Sequence, residues 1–364
     1  MKVALALLFF MGSCCGVAAQ QSDWEKTWDT TLAAAKNEGK VVVVGSPDPV
    51  MRNEIIPAFT RRYGIAVEYI ATGSGNQMAQ KVSTERSTGI FSVDVFMNGV
   101  GPAVNVLYAQ KMIDPIKPLL LLPEVTDGKN WKSGKLAFVD PEGQSIMKLF
   151  SSVDGLLLIN SEYVKPEDIR SAQDLLNPKW KGKISAEDPF STGSGINKAV
   201  HFYTQLGPDY VKQLYVDQQP TFSRERRQLA DWLARGTHPI CLGCRVGDAK
   251  QLQKDGFKIL ELFSVPGIQD RILSSPFVLT IANRRPHPNA ATIFVNWMAT
   301  KEALEIYSRG YSAATLRKDV DESFLDKNDA PKEGVKYIDD SEFHWVATGR
   351  LETGEKVRAI LKQK

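Results

Sequence analysis

Short stretches of small polar residues carry this chain's capacity to bind a ligand. They are Gly45-Ser46-Pro47, Thr72-Gly73-Ser74-Gly75-Asn76, Asn98-Gly99-Val100-Gly101, Ser191-Thr192-Gly193-Ser194-Gly195 and Cys244-Arg245-Val246-Gly247. Glycine and hydroxyl residues leave backbone amides free to point at a bound group, and a helix starting just after such a loop adds partial positive charge. The chemistry this suits is the holding of an anion. The expected ligand-binding set is Ser46, Thr72, Ser74, Gly75 and Asn98 from the first half, with Thr192, Ser194, Arg224 and Arg245 from the second. Hydroxyls and loop amides would orient an acidic group and the two arginines would neutralise it by charge-assisted hydrogen bonds. Arg224 is expected in the first turn of a helix from Arg224 to Arg235, capped by Ser223. That is an unfavourable end of the helix dipole for a cation, so Arg224 either stands in solvent or reaches toward a bound anion.

Other chemistries find little support. No GxxxxGK[ST] occurs, and TGSGNQM and TGSGINK lack the third glycine and the downstream acid of a dinucleotide fingerprint. No GxSxG elbow is present. His201, His238, His287 and His344 follow no ligand spacing. Asp188 either orients a ligand or caps the turn before STGSG. Cys241 and Cys244, in PICLGC, form only half a zinc site; they read as a buried strand end that can pair in an oxidising compartment, or as a catalytic dithiol. The sequence thus offers a binding edge without an identifiable nucleophile or base, and the expectation is a binding protein with no catalytic residue, metal or cofactor. An exported thiol oxidoreductase using Cys241 and Cys244 is the alternative from another class.

The elements that must position these loops alternate. Trp24, Trp28 and Leu32 recur at helical spacing between Asp23 and Gly39, and the unbroken apolar run VVVVG follows as a strand covered on both faces. A helix from about Val50 to Tyr63, a strand over 66–70, a helix through Val82, a strand over 93–97 and a helix opened by NGVGPA complete the first set. A second alternation runs from LLLIN through GKISAEDP, the helix after Gly195, and strands at 240–242 and 258–262. Such repeats predict α/β lobes with parallel-centred sheets, whose ligands sit beyond the carboxyl ends of the strands. A strand from Phe277 to Ala282 and a helix from Pro288 read as the chain returning to the first lobe, and the polar, weakly patterned end from about Asp319, with a final basic helix, reads as a peripheral wrap.

The 364 residues carry 45 Lys and Arg against 42 Asp and Glu, a net charge of +3 with the signs mixed, which gives no support for nucleic-acid binding. Lys2, the apolar run from Val3 to Met11 and the small residues to Ala19 have the layout of a secretory signal peptide, with Gln20 the expected first mature residue. A weaker lipoprotein box around Cys14 is the competing reading. The expected location is the periplasm.

Taken in order, AAKNEGKVVVVGS, RRYGIAVEYIATGSG with STERSTGIFSVDVF, SAQDLLNPKWKGKISAEDP, RRQLADWLARGTHPI and RPHPNAATIFVNWMATKEAL resemble the extracellular solute-binding proteins of ABC importers. The likeness is to the ferric-ion-type branch that includes thiamine and phosphonate binders, and it covers Trp24 to about Leu316. It implies a two-lobed α/β fold with the ligand in the cleft, hinge closure, and handover to an inner-membrane ABC permease by a monomer. The implied layout is a signal peptide over 1–19, lobe 1 over 20–135 plus 265–300, lobe 2 over 136–264, and C-terminal helices and tail over 301–364. Ferric members carry adjacent tyrosines after the strand matching PICLGC; this chain has Cys244-Arg245-Val246-Gly247-Asp248 there. The resemblance therefore implies an anionic organic solute ahead of ferric iron, which favours hard oxygen ligands. A receptor that presents its ligand to a sensor would share the same fold.

Overall fold

The computed structural model describes residues 22–72, 75–191, 193–244, 246–262 and 265–363. The chain begins with the helix Asp23–Glu38, where Ser22 and Glu25 form a reciprocal capping box and Gly39, at φ 76°, ends it in the left-handed conformation. The strand Lys40–Gly45 follows at once, and its valines lie at 4% exposure or less. It runs parallel to Ala66–Ala71 on one side and to Val95–Asn98 on the other. The returning strand Val278–Ala282 joins antiparallel to Val95–Asn98. The core beneath this sheet is built on Phe59, which packs against Phe294 at 5.1 Å and Trp297 at 5.4 Å between ring centroids. The backbone amides of Leu121 and Leu122 both donate to the buried Asn296 Oδ1, which pins the apolar run Leu119–Leu122 to the helix Pro288–Met298.

The second sheet has the order Thr221–Ser223, Ile184–Glu187, Ile240–Leu242, Leu157–Asn160, Ile259–Leu262. Its first three strands are parallel, and Leu157–Asn160 runs antiparallel to both neighbours. A third, small sheet of Ile338–Asp339, Arg271–Leu273 and Ser152–Val153 lies where the chain crosses between the two. Two separate apolar clusters sit under the large sheets, as a two-lobed α/β architecture requires. Among the described residues no helix is long and apolar enough to cross a membrane.

The structure departs from the sequence-based layout in several places. Ala137–Phe138 and Met147–Lys148, expected in the second lobe, pair into the first sheet through Val278–Ala282, because the crossover occurs only at Ser152–Val153. The helix Lys301–Tyr311, expected with the tail, buries Ala303, Leu304 and Tyr307 in the first core. The end of the chain is no peripheral wrap. Ile338–Asp339 is a strand of the crossing sheet, and residues 343–361 form one continuous helix. Val346 packs with Ala103 and Val104 of the first lobe, whereas Val357 and Leu361 enter the second core. The final basic helix is present as expected but is not peripheral, and its weak patterning is that of a helix burying different faces at its two ends.

Candidate ligand-binding cleft

The carboxyl ends of the parallel strands bring the first lobe's loops to one edge. Ser46 is exposed there, and its carbonyl accepts a 2.5 Å hydrogen bond from the Tyr69 hydroxyl. Burial raises the Tyr69 pKa, which keeps that phenol a donor. Thr72 is half-buried and its amide donates to the Gly45 carbonyl at 2.9 Å, tying two of the loops together. Gly45 must be glycine: a Cβ would lie 2.9 Å from the Met97 carbonyl oxygen. Gly75 opens the helix Gly75–Ser87. Asn98 ends its strand at 3% exposure; its Nδ2 lies 3.6 Å from Met78 Sδ, and its Oδ1 is buried with no hydrogen-bond partner among the described residues. Ser74, Thr192 and Arg245 lie outside the described residues.

The second lobe's edge is more acidic than its sequence suggests. Gly195 allows the helix Ser194–Lys212 to start hard against the strand Ile184–Glu187; a Cβ at Gly195 would come within 2.6 Å of the Glu187 carbonyl oxygen. Ser194 then donates its hydroxyl to the Glu187 carboxylate. Ser191 Oγ donates to Asp188 Oδ2 at 2.8 Å and the Phe190 amide to Asp188 Oδ1 at 3.0 Å. Arg224 is not in a helix. Ser223 ends the strand Thr221–Ser223, its Oγ accepts from the Glu225 amide at 3.0 Å, and the helix begins at Arg226. The arginine's Nε donates to Asp188 Oδ2 at 2.6 Å from a side chain that is 72% exposed. Burial alone would raise the Asp188 carboxyl; Arg224, the Phe190 amide and Ser191 outweigh it and hold it below its ordinary value. Asp188 thus serves as turn cap and as partner for Arg224, which gives that cation a carboxylate inside the protein.

At the floor, beside the crossing strands, lies a group of charges that pattern reading missed. Asp154 Oδ2 accepts from Lys198 Nζ at 2.8 Å, Arg271 Nε at 2.8 Å and Arg271 Nη2 at 2.7 Å. Burial would raise this carboxyl, but the two cations hold it far below the carboxylate range. Asp340 Oδ2 lies 3.8 Å from Arg271 Nη1 and 3.4 Å from Arg350 Nη1. Glu261 stands nearby with its carboxyl pushed up to about 8 by burial and by Asp329 and Asp154. Burial among Arg271 and Lys198 pushes His201 down to about 3, leaving a neutral imidazole. These residues come from five well-separated parts of the chain, so no local spacing signals them.

Cys241 and Cys244 are joined as a disulfide, with Cα atoms 5.7 Å apart and Cys241 fully buried in the second sheet. A bridge across three positions closes a small loop, so its contribution by chain entropy is about 2 kcal/mol. Replacing Cys244 with Ser should lower the melting temperature by roughly 3 °C, read by calorimetry, and leave the fold intact.

Two α/β lobes, each with strand-end loops at the carboxyl edge of its sheet, joined by crossing strands and by a C-terminal helix packed on both, define the architecture of a cleft-type binding protein. The chain belongs to the bacterial extracellular solute-binding protein family, whose model matches residues 40–310, the solute-binding components of ABC transporters. No curated protein matches it. Among solved structures it is similar to iron-bound HitA from Pseudomonas aeruginosa, at 15% identity over 87% of this chain and 99% of that one, TM-score 0.66. It is likewise similar to the periplasmic binding protein AfuA from Actinobacillus pleuropneumoniae with fructose-6-phosphate bound, at 17% identity over 90% and 99%, TM-score 0.66. A third is the apo ferric ion-binding protein A of Pasteurella haemolytica, at 13% identity over 88% and 98%, TM-score 0.65. At these identities the likeness is one of fold: two-lobed, periplasmic-binding-protein-like.

Proposed function

We propose that this chain captures a small anionic organic solute in its interlobe cleft and delivers it to an inner-membrane ABC permease, acting as a periplasmic monomer and without catalysis. The observation that carries the reading is that one helix, 343–361, borders the strand-end loops of both lobes, with Arg350 Nη2 beside Gly101 of the first and Arg358 Nε donating to the Phe190 carbonyl of the second at 3.3 Å, next to a three-stranded crossing. Such an arrangement encloses a ligand by hinge motion. Of the similar structures, HitA is iron-bound and AfuA has fructose-6-phosphate bound. For this chain the organic anion is favoured, because Cys244-Arg245-Val246-Gly247-Asp248 offers no phenolate where hard ferric iron would need one. Glu187 and Asp188, with Ser191 and Ser194, suit the ligand's hydroxyl groups better than its charge.

Native mass spectrometry of the protein purified gently from its exported form tests this directly. An organic adduct released on denaturation is the expected result, and its mass identifies the solute. An iron-sized adduct would replace the organic-anion reading by a ferric one.

A further inference from the structure

With Arg224 paired to Asp188 and Arg245 outside the described residues, a cation for an acidic ligand is sought among the other described residues. The helix 343–361 runs from the first lobe's edge to the second's. Arg350, Gly354 and Arg358 follow one another on a single face at a spacing of four. At one end Arg350 Nη2 abuts the strand-end loop of the first lobe: a Cβ on Gly101 would lie 3.2 Å from it. In the middle, a Cβ on Gly354 would lie 3.7 Å from Ile196 Cγ1, in the first turn of the second lobe's helix. At the other end Arg358 Nε donates to the Phe190 carbonyl at 3.3 Å, in the loop before STGSG. The C-terminal helix is therefore a wall of the cleft, and Arg350 stands where that wall meets the crossing strands.

Arg350 is poorly satisfied for so enclosed a guanidinium. Its side chain is 11% exposed, and its hydrogen bonds are Nη1 to the Asp340 carbonyl at 3.5 Å and to Asp340 Oδ2 at 3.4 Å, both long for a charge-assisted bond. Nε and Nη2 donate to no protein atom among the described residues. Asp340 is also shared, accepting from Trp345 Nε1 at 3.0 Å and facing Arg271. Around this point Lys198, Arg271 and Arg350 face the carboxylates of Asp154 and Asp340. The neighbouring Lys148–Asp339 and Lys250–Asp329 pairs are balanced, and Glu261 holds its proton at neutral pH. The group as a whole is left with one positive charge, and of its cations Arg350 is the one whose Nε–Nη2 edge has no protein acceptor among the described residues, beside a loop where Gly101 carries no side chain.

We propose that Arg350 is the residue that binds the acidic group of the ligand, a carboxylate or phosphate, using the free Nε–Nη2 edge in the two-point manner guanidinium geometry allows. The inference rests on the anionic-solute reading above. The test is calorimetric titration of the exported protein with inorganic phosphate and with citrate, for wild type, Arg350→Gln, Arg350→Lys and Asp340→Asn. Wild type should bind at least one probe. Arg350→Gln should weaken that binding at least about tenfold, and Arg350→Lys should fall between, because it keeps the charge and loses the fork. Asp340→Asn removes the competing carboxylate and should tighten binding, an opposite sign that loss of fold cannot imitate. A probe bound equally well by wild type and Arg350→Gln would overturn the assignment and leave the solute-binding reading standing. Failure of wild type to bind either probe would overturn it as well; an uncharged adduct in native mass spectrometry would then trace the failure to the ligand's charge and not to Arg350.

Discussion

Replacement of Asp154 by Asn is expected to destabilise the protein by about 3–5 kcal/mol, the usual consequence of removing one partner from a buried ion pair. The side chains of Lys198 and Arg271 are only 6% and 5% exposed, and both point at the same carboxylate oxygen. Without it, Lys198 keeps only the Gly155 carbonyl at 2.7 Å, and Arg271 keeps the Asn197 carbonyl at 3.1 Å with a distant Asp340. Two cations are then desolvated with neutral acceptors, which hydrogen bonding offsets only in part. The pH dependence follows from the direction of the shift. Asp154 has a folded pKa depressed below its unfolded one, so its contribution is present above the unfolded value and is lost as pH falls through the acid range. The gap between wild type and Asp154→Asn should therefore be full at pH 7 and narrow on acidification. Calorimetric melting at pH 7 and pH 3.5 checks both points; a variant melting within a degree or two of wild type at pH 7 would mean that the crossing region does not depend on this charge.

The contrast between what pattern reading delivers and what it misses is physical. VVVVG is recognisable because a strand covered on both faces must be apolar throughout, and the loops after such strands fall on one edge by the geometry of parallel sheets. Gly195 is recognisable as special, though the reason, close approach to the Glu187 carbonyl, is tertiary. Arg224 shows the limit of local rules: Ser223 has the composition of a cap but ends a strand, and a carboxylate 36 positions earlier takes the cation. Arg350 and Asp340 lie in a segment whose pattern is weak because its helix serves two cores. The charges around Asp154 obey no period at all, since Lys198 and Arg271 reach it across 44 and 117 positions. Residues that close a cleft between lobes are supplied by the crossings, and crossings are where sequence distance and spatial distance diverge most.

Glu261→Gln is expected to stabilise the protein at pH 8 and to change little near pH 4.5. Glu261 lies on the edge strand Ile259–Leu262, opposite Leu158, and crowds the backbone at Gly155, where any side chain would collide with its carboxyl group. Burial is the main reason its carboxyl titrates at about 8; Asp329 and Asp154 add to the shift, while Lys198 and Lys250 oppose it. Both lysines are already committed, to Asp154 at 2.8 Å and to Asp329 at 3.0 Å, which is why they do not hold Glu261 ionised. For an acid whose folded pKa is raised, the unfolded chain releases the proton first. Stability then falls as pH rises from about 4.5, and the loss is complete above about 8. At 1.36 kcal/mol per unit, the full loss is at most about 5 kcal/mol. Glutamine reproduces the shape of the protonated acid and cannot ionise, so the variant keeps the low-pH stability throughout. Denaturant unfolding of both proteins at pH 5 and pH 8.5 separates the outcomes: a gain confined to the higher pH supports a buried, protonated Glu261, and an equal effect at both would mean that the carboxyl titrates as an ordinary exposed acid. Because the same carboxyl borders Lys198 and Asp154, its ionisation would also remove the excess positive charge beside Arg350. Anion binding in the cleft should accordingly weaken over the same pH range in wild type and not in Glu261→Gln.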